Sequence, residues 1–173
     1  MEKKNIKKST LLSKNGIAQV ALVVPDLEKA VQHYWDYFGI GPWTFYTYEK
    51  PFVKEMSYHG EQASQSFRLA LANCGPLRIE LIEAKKGDSV YTDFVEKHGY
   101  GVQHLGIVVE DINQSFAEAK AAGWDVIQDG SGFGVDGDGH YAYLDTEEEI
   151  GVTLELIERP KRRRPPEKIF PAE

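Results

Sequence analysis

The chain has 173 residues and a net charge of −7 at pH 7, from 27 acidic and 20 basic side chains. Binding a polyanion needs a concentrated positive surface, so this balance argues against a nucleic-acid partner. The single cysteine, Cys74, excludes an intramolecular disulfide framework, and no apolar run approaches the roughly 20 residues that span a bilayer, so we expect a cytoplasmic protein without a membrane partner.

The first half of the chain begins with a strand, a helix and a second strand. Ile17 to Val24 predicts a strand that Pro25 ends, because proline has no amide hydrogen for a ladder. Asp26 is a good N-cap for a helix from Leu27 to Phe38, whose apolar residues recur every three or four positions. Trp43 to Glu49 predicts a strand with aromatic side chains on both faces. These aromatic residues either fill the core or line a substrate pocket: Trp43, Phe45, Tyr46 and Tyr48.

The first half ends with two strands that follow a less regular segment. Pro51 to Gln62 shows no clear hydrophobic period and is interpreted as a loop or a short strand with a lid-like role. Ser66 to Ala72 and Leu77 to Glu83 predict two strands joined by a turn. A helical segment from Tyr91 to His98 then leads to the second half.

The second half repeats this order. Val102 to Val109 predicts a strand, and Asp111 caps a helix that runs to Ala122. Asp125 to Gln128 is short and strand-like. Gly130 to Gly139 contains five glycines and is interpreted as a mobile loop; a phosphate-binding loop is excluded because a strand, not a helix, follows it. The last strands are predicted at Tyr141–Asp145 and Val152–Glu158.

Two pairs of matched positions indicate an internal duplication. His104 follows Gln19 by 85 residues, and Glu155 follows Glu80 by 75 residues. Each half reads as strand, helix and three strands, and neither is long enough to be a separate stable domain. We therefore predict an α+β fold in which two tandem βαβββ modules form a cupped, partly open eight-stranded sheet with a central cleft. The predicted boundaries are a polar lead-in at 1–15, one domain at 16–159 with modules at 16–84 and 101–159 joined by 85–100, and a basic, proline-rich tail at 160–173.

Four polar side chains interrupt otherwise apolar strands: Gln19, Glu80, His104 and Glu155. A single one of them would most simply face water, since burying an unpaired carboxylate costs several kcal/mol. Two of the four come from each half, at matched places in the repeat, and duplication brings such places toward one cleft. Together they offer one imidazole nitrogen, one amide oxygen and two carboxylates. This set suits zinc, nickel, cobalt, manganese or iron(II), and it suits copper(I) or an iron–sulfur cluster poorly.

With these residues the chain resembles the vicinal oxygen chelate superfamily, the glyoxalase, bleomycin-resistance and dioxygenase fold that includes methylmalonyl-CoA epimerase. The resemblance spans residues 16–159 and is carried by the stretches 17–26, 78–83, 102–111 and 153–158. It implies one divalent ion, zinc first, held by Gln19, Glu80, His104 and Glu155. Dimers are frequent in this superfamily, so it also implies a homodimer.

The reaction that the resemblance implies is proton transfer next to the carbonyl of a small carbonyl or thioester substrate. The ion would stabilise the enolate, and Glu155 or Glu80 would serve as the base. The epimerase branch adds a further carboxylate, for which Glu61 is the nearest match, with Glu49 and Glu55 as competitors. Residues 90–104 resemble the epimerases, whereas the ligand types resemble one form of glyoxalase I, so an isomerase and a lyase both stay open.

Two other functions on the same fold are weighed against this one. An extradiol dioxygenase uses two histidines and one carboxylate, and Gln19 in place of a histidine disfavours it. A binding protein of the antibiotic-sequestering kind needs no metal and no turnover, and the four polar residues disfavour it. The basic run from Lys161 to Arg164 is interpreted as a solvated tail, with contact to an anion or a partner as the alternative.

Overall fold

The computed structural model describes residues 7–172, which form five helices and one sheet of eleven strands. None of the helices in this range is both long and apolar enough to cross a bilayer. The helices are α1 (Leu11–Asn15), α2 (Leu27–Phe38), α3 (Val90–His98), α4 (Ile112–Ala121) and α5 (Glu147–Ile150). The strands are β1 (Gln19–Val23), β2 (Trp43–Tyr48), β3 (Glu55–Tyr58), β4 (Glu61–Gln62), β5 (Ser66–Cys74), β6 (Leu77–Lys86), β7 (Gly101–Val108), β8 (Val126–Phe133), β9 (Gly139–Leu144), β10 (Thr153–Glu158) and β11 (Lys168–Phe170).

The two long helices begin at the predicted caps. The Asp26 carboxylate accepts a hydrogen bond of 3.0 Å from the amide of Lys29, and the Asp111 carboxylate accepts one of 3.0 Å from the amide of Gln114. Each bond satisfies one of the amides that a helix leaves unpaired in its first turn. Helix α2 ends at Gly39, whose φ of 63° is a conformation that glycine adopts without strain. Both predicted helices are confirmed, with α4 one residue shorter than expected.

The sheet confirms the predicted α+β fold of two related modules. Its strand order is β11-β2-β5-β6-β1-β7-β10-β9-β8-β3-β4. Strands β2, β5, β6 and β1 come from the first half, and β7, β10, β9 and β8 come from the second. The halves join where β1 pairs antiparallel with β7, and each of these strands has a parallel neighbour, β6 and β10 respectively. The first strands of the two modules therefore lie side by side at the centre.

The sheet curls into a cup. The rings of Tyr48 in β2 and Phe133 in β8 have centroids 5.2 Å apart, although six strands separate β2 from β8 in the sheet order. Aromatic side chains from both halves pack together inside the cup. On the outside, α2 covers the first half and α4 covers the second, each over its own apolar cluster. The inside of the cup is therefore where residues from the two modules meet.

Three strands exceed the predicted eight, so the predicted strand count is wrong. Strands β3 and β4 arise from the irregular segment 51–62, and β3 pairs with β8 of the second half. Strand β11 arises from the tail and pairs with β2. All three are short, and β4 and β11 are largely exposed, so none shows the alternating apolar pattern that identifies a strand. Their partners lie far away in sequence, which local patterns cannot show.

Half of the glycine-rich segment is strand, so its interpretation as a mobile loop is wrong for that half. Strand β8 continues to Phe133 and β9 begins at Gly139, which leaves residues 134–138 between them. A Cβ atom at Gly130 would overlap the ring of Tyr141, and one at Gly139 would overlap the ring of Phe133. These two glycines therefore make room for aromatic rings rather than for loop motion.

The lead-in and the tail also contact the fold. Part of the predicted lead-in, residues 1–6, lies outside the described residues; Leu11 of α1 is buried among residues of the second half. The tail pairs with β2 through β11. In the basic run from Lys161 to Arg164, Arg163 and Arg164 are half-buried, so the interpretation of the run as solvated is wrong for these two residues. Apolar and charged residues are mixed in both segments, and this mixture does not reveal docking on a distant strand.

We predict that Gly106→Ala weakens the join between the two modules. The added Cβ would lie 2.8 Å from Cβ of Gln19 and 2.9 Å from Cδ1 of Ile157, so β1 and β10 would have to move apart. Overpacking of this kind costs about 1–3 kcal/mol, measurable by urea unfolding. Val102→Ala changes an exposed residue of the same strand and should cost less than about 0.5 kcal/mol. Equal stability of the two variants would contradict the prediction.

Candidate metal centre

Four adjacent strands at the centre of the sheet each contribute one polar side chain to the inside of the cup. Gln19 lies on β1, Glu80 on β6, His104 on β7 and Glu155 on β10, and all four are buried. In the sheet register Gly106 of β7 is the partner of both Gln19 and Glu155. The missing side chain at Gly106 leaves the space in which the neighbouring polar groups meet.

The four side chains meet at one point. The Gln19 amide nitrogen donates hydrogen bonds to Oε2 of Glu80 at 2.8 Å and to Oε2 of Glu155 at 3.1 Å. Nε2 of His104 lies 3.3 Å from Oε2 of Glu80 and 3.1 Å from Oε2 of Glu155. The ligand atoms of Glu80, His104 and Glu155 all lie within 4.8 Å of one another. The structure thus brings together all four predicted metal ligands.

The ring of His104 is oriented for a cation. Its Nδ1 lies 2.6 Å from Oε1 of Gln103, and because that oxygen only accepts, Nδ1 carries the hydrogen. In the neutral ring Nε2 then has a free lone pair directed at the carboxylates. Nε2 is buried and has no hydrogen-bond partner among the described residues. A histidine that ligates a metal through one nitrogen and donates from the other has this arrangement.

When no cation is bound, bound protons offset part of the negative charge of the cluster. Burial alone would lower the pKa of His104, but attraction to Glu155 and Glu80 outweighs it and raises the pKa to about 9. Burial, reinforced by repulsion from Glu80, raises the pKa of Glu155, although His104 opposes this. Two buried carboxylates beside an imidazole thus need added positive charge. A divalent cation with oxygen and nitrogen ligands fits this donor set.

Gln19 is held in a different orientation from the one that a ligand would need. Its amide nitrogen faces the carboxylates, and its Oε1 accepts a hydrogen bond of 2.7 Å from Nε of Arg78. A metal ligand would use the amide oxygen, so the amide would have to turn over and release Arg78. In this arrangement Gln19 positions the two carboxylates. Its role as a ligand stays a prediction.

A small cavity of about 30 Å³ opens directly from the cluster. Tyr48 lines it, whereas Trp43 and Phe45 are buried in the core of the first half. The role of Tyr48 in a substrate pocket stays a prediction. The ring of Tyr143 packs edge-on to His104, with centroids 5.0 Å apart, and its hydroxyl is 2.6 Å from that of Tyr91. These tyrosines exclude water from one side of His104.

Glu61 is not part of this group. It is exposed on β4, at the end of the sheet, and it does not line the cavity. Its competitor Glu49 accepts a hydrogen bond of 2.7 Å from Ser66, and Glu55 is exposed on β3. Sequence reasoning missed Gln103 and Arg78, which hold His104 and Gln19. Both lie within predicted site strands, Gln103 directly before His104 and Arg78 opposite Gln19 in the register, but a polar residue in a strand cannot be told from a surface residue by sequence alone.

Two βαβββ modules share a cup, and a buried Glu-His-Glu group that could hold a metal ion lies at their junction. The chain belongs to the Glyoxalase/Bleomycin resistance protein/Dioxygenase superfamily, whose family model matches residues 18–143. The resemblance seen in the sequence is thereby confirmed. No curated protein matches the sequence.

Solved structures with the same fold include methylmalonyl-CoA epimerases. The epimerase of Streptomyces coelicolor, in a variant bound to 2-nitronate-propionyl-CoA, is 20% identical with a TM-score of 0.61, covering 86% of this chain and 97% of that one. The epimerase of Mycobacterium tuberculosis is 23% identical with a TM-score of 0.58, covering 84% and 89%. A hypothetical protein from Bacillus halodurans C-125 is 20% identical with a TM-score of 0.59, covering 86% and 96%. At these identities the likeness shows a shared fold.

We predict that binding of Zn²⁺ releases about one proton from the cluster at pH 7 to 8. His104 is protonated in the metal-free protein at any pH below about 9, so the ion must displace that proton. Apparent affinity should therefore rise with pH up to about 9 and then level off. Isothermal titration in buffers of different ionisation enthalpy measures the released protons. His104→Gln removes the titrating ring as a control, and binding to the unchanged protein without proton release would contradict the prediction.

Proposed function

We propose that this chain is a divalent-metal enzyme that moves a proton next to the carbonyl of a small carbonyl or thioester substrate. The observation that carries the proposal is the buried group of Glu80, His104 and Glu155 at the base of the cavity. Family membership supports it, and the epimerase neighbours, one of them bound to an acyl-CoA analogue, favour an isomerase or epimerase. A lyase of the glyoxalase type is the alternative outcome of the same proton transfer.

The residues of the cluster would hold one divalent ion, and zinc is the first candidate. Nickel, cobalt, manganese and iron(II) also suit the donors. When bound, such an ion acts as a Lewis acid toward the carbonyl oxygen of the substrate. Gln103 keeps the His104 ring in the tautomer that presents Nε2. Gln19, held by Arg78, keeps both carboxylates turned into the cavity.

Glu155 is the proposed base. Its carboxylate borders the cavity, and burial raises its pKa, which brings it closer to the pH at which the enzyme works. A base is most effective when its pKa lies near that pH. It would take the α-proton from one face of the carbon. In an epimerase a second acidic group would then deliver a proton to the opposite face, whereas in a glyoxalase Glu155 would return the proton to the neighbouring carbon. Glu80 and the exposed Glu61 are the other carboxylates proposed for the proton transfer.

Proton exchange in deuterated water tests the reaction directly. We expect the protein to exchange the α-proton of at least one member of a panel of acyl-CoA thioesters, hemithioacetals and cyclic ketones, followed by NMR. Glu155→Gln should slow this exchange by roughly 100- to 10,000-fold, the usual effect of removing a general base. His104→Ala should also lose the bound metal, measured by elemental analysis of protein purified without added ions.

Two further variants give this experiment its controls. Glu149→Gln changes an exposed carboxylate on α5 and should leave exchange unchanged. Glu61→Gln asks whether β4 contributes, and a loss as large as that of Glu155→Gln would move the role of base to Glu61. A protein without metal that binds a ligand equally well in the Glu155 and His104 variants would instead be a binding protein on this fold.

A further inference from the structure

The tail crosses the open side of the cup as a strap, defined here as residues 160–170. It is anchored on the second half where the amide of Val135 donates to the carbonyl of Arg162 at 2.9 Å. It is anchored on the first half where Arg164 and Glu167 hydrogen-bond to Thr47 of β2 and where β11 pairs with the same strand. Arg163 lies between these anchors. The strap follows β10, the last strand of the second module, so it lies outside the two modules.

Neighbouring arginines on the strap face opposite ways. Arg162 pairs with Asp136 at the surface, on the outer side of the strap. Arg163 is half-buried, packs over the ring of Tyr46 and lines the cavity beside the candidate metal centre. Arg78 lines the same cavity from β6. No carboxylate of residues 7–172 forms an ion pair with Arg78 or Arg163 within 4 Å.

Two features of its lining indicate that this cavity takes an anion. A bound divalent ion would neutralise Glu80 and Glu155, which would leave the charges of Arg78 and Arg163 uncompensated. The hydroxyl of Tyr141 also lines the cavity, is buried and has no hydrogen-bond partner among the described residues. Buried polar groups of this kind normally have a partner, which here would be a ligand.

The size of the cavity selects the kind of anion. A volume of about 30 Å³ holds two or three water molecules, since each occupies roughly 10–15 Å³ on this measure. A planar carboxylate fits this space, and arginine binds carboxylates through two parallel hydrogen bonds. A second cavity of about 160 Å³ shares Tyr48, Phe133 and Arg163 with the first and is lined by Lys54 and Arg164 but by no carboxylate. It leaves room for the rest of a substrate.

We propose that Arg163 of the strap and Arg78 of β6 hold a carboxylate of the substrate beside the metal centre, so that the enzyme acts on an acidic carbonyl compound. The proposal deepens the proposed function and rests on it for the reaction, but not for the binding of the anion. Arg163 is then a residue that determines specificity, supplied by a segment outside the two modules.

Binding of succinate, its neutral isostere succinamide and inorganic phosphate, measured by titration calorimetry on the protein as purified, tests the proposal. We expect succinate to bind and succinamide not to bind. Arg163→Gln should weaken succinate binding by about 10- to 100-fold, as expected for loss of a hydrogen bond to a charged group. Arg78→Gln should do the same, with metal content measured in parallel because Arg78 also holds Gln19. Arg162→Gln, on the outer side of the strap, is the matched control and should bind succinate normally.

Each other outcome overturns the proposal. Succinate binding that survives Arg163→Gln would mean that the metal or another group holds the anion. Equal weakening by Arg162→Gln would mean that only the docking of the strap or its overall charge matters. Preference for phosphate over succinate, or no binding of either, would exclude the carboxylate. A protein that binds succinate through Arg163 yet exchanges no α-proton would keep this inference and lose the proposed function.

Discussion

The structure depends on the burial of two carboxylates and one imidazole at the junction of its modules. Burial and the nearby charge of Glu80 raise the pKa of Glu155, so the pair needs positive charge nearby to be stable out of water. His104 supplies that charge when protonated, and a divalent cation would supply more of it. Each surrounding contact serves this balance: Gln19 bridges the carboxylates, Gln103 fixes the imidazole, and the glycine at 106 leaves them the space to meet.

The duplication explains how such a group arises from a chain with no local metal motif. The ligand atoms come from four strands that are central in the sheet but far apart in sequence. The first strands of the modules pair antiparallel, with Gly106 opposite Gln19 and Ala21 opposite His104, so Gln19 and His104 lie two positions apart across the junction. The polar residues at those positions therefore converge, although within each strand they look like single interruptions of an apolar pattern.

Much of this arrangement could be predicted from the sequence. Period-two patterns identified the eight strands of the modules, and the matched offsets indicated that Gln19, Glu80, His104 and Glu155 would meet. A short strand is one of two alternatives for segment 51–62, but β11 and the pairing of β3 with β8 could not be predicted, because short strands that pair with a distant strand leave no periodic signal. Arg163 could not be placed for the same reason: a basic, proline-rich run looks solvated until the partner on which it docks is known. The glycines of β8 and β9 mimic a loop because composition does not show which aromatic ring lies above them.

Strands β3 and β11 each pair with a strand of the other half of the chain, and these pairings determine which strands lie at the edges of the sheet. Strand β3 of the first half extends the second half, and β11, which follows the second half, extends the first. The sheet therefore ends in β4 at one side and β11 at the other, strands of 2 and 3 residues that carry Glu61 and Lys168. Unpaired edges invite one molecule to add its strands to another, and short charged edges are the usual protection. The short, charged edge strands that these segments form oppose the addition of strands from another molecule.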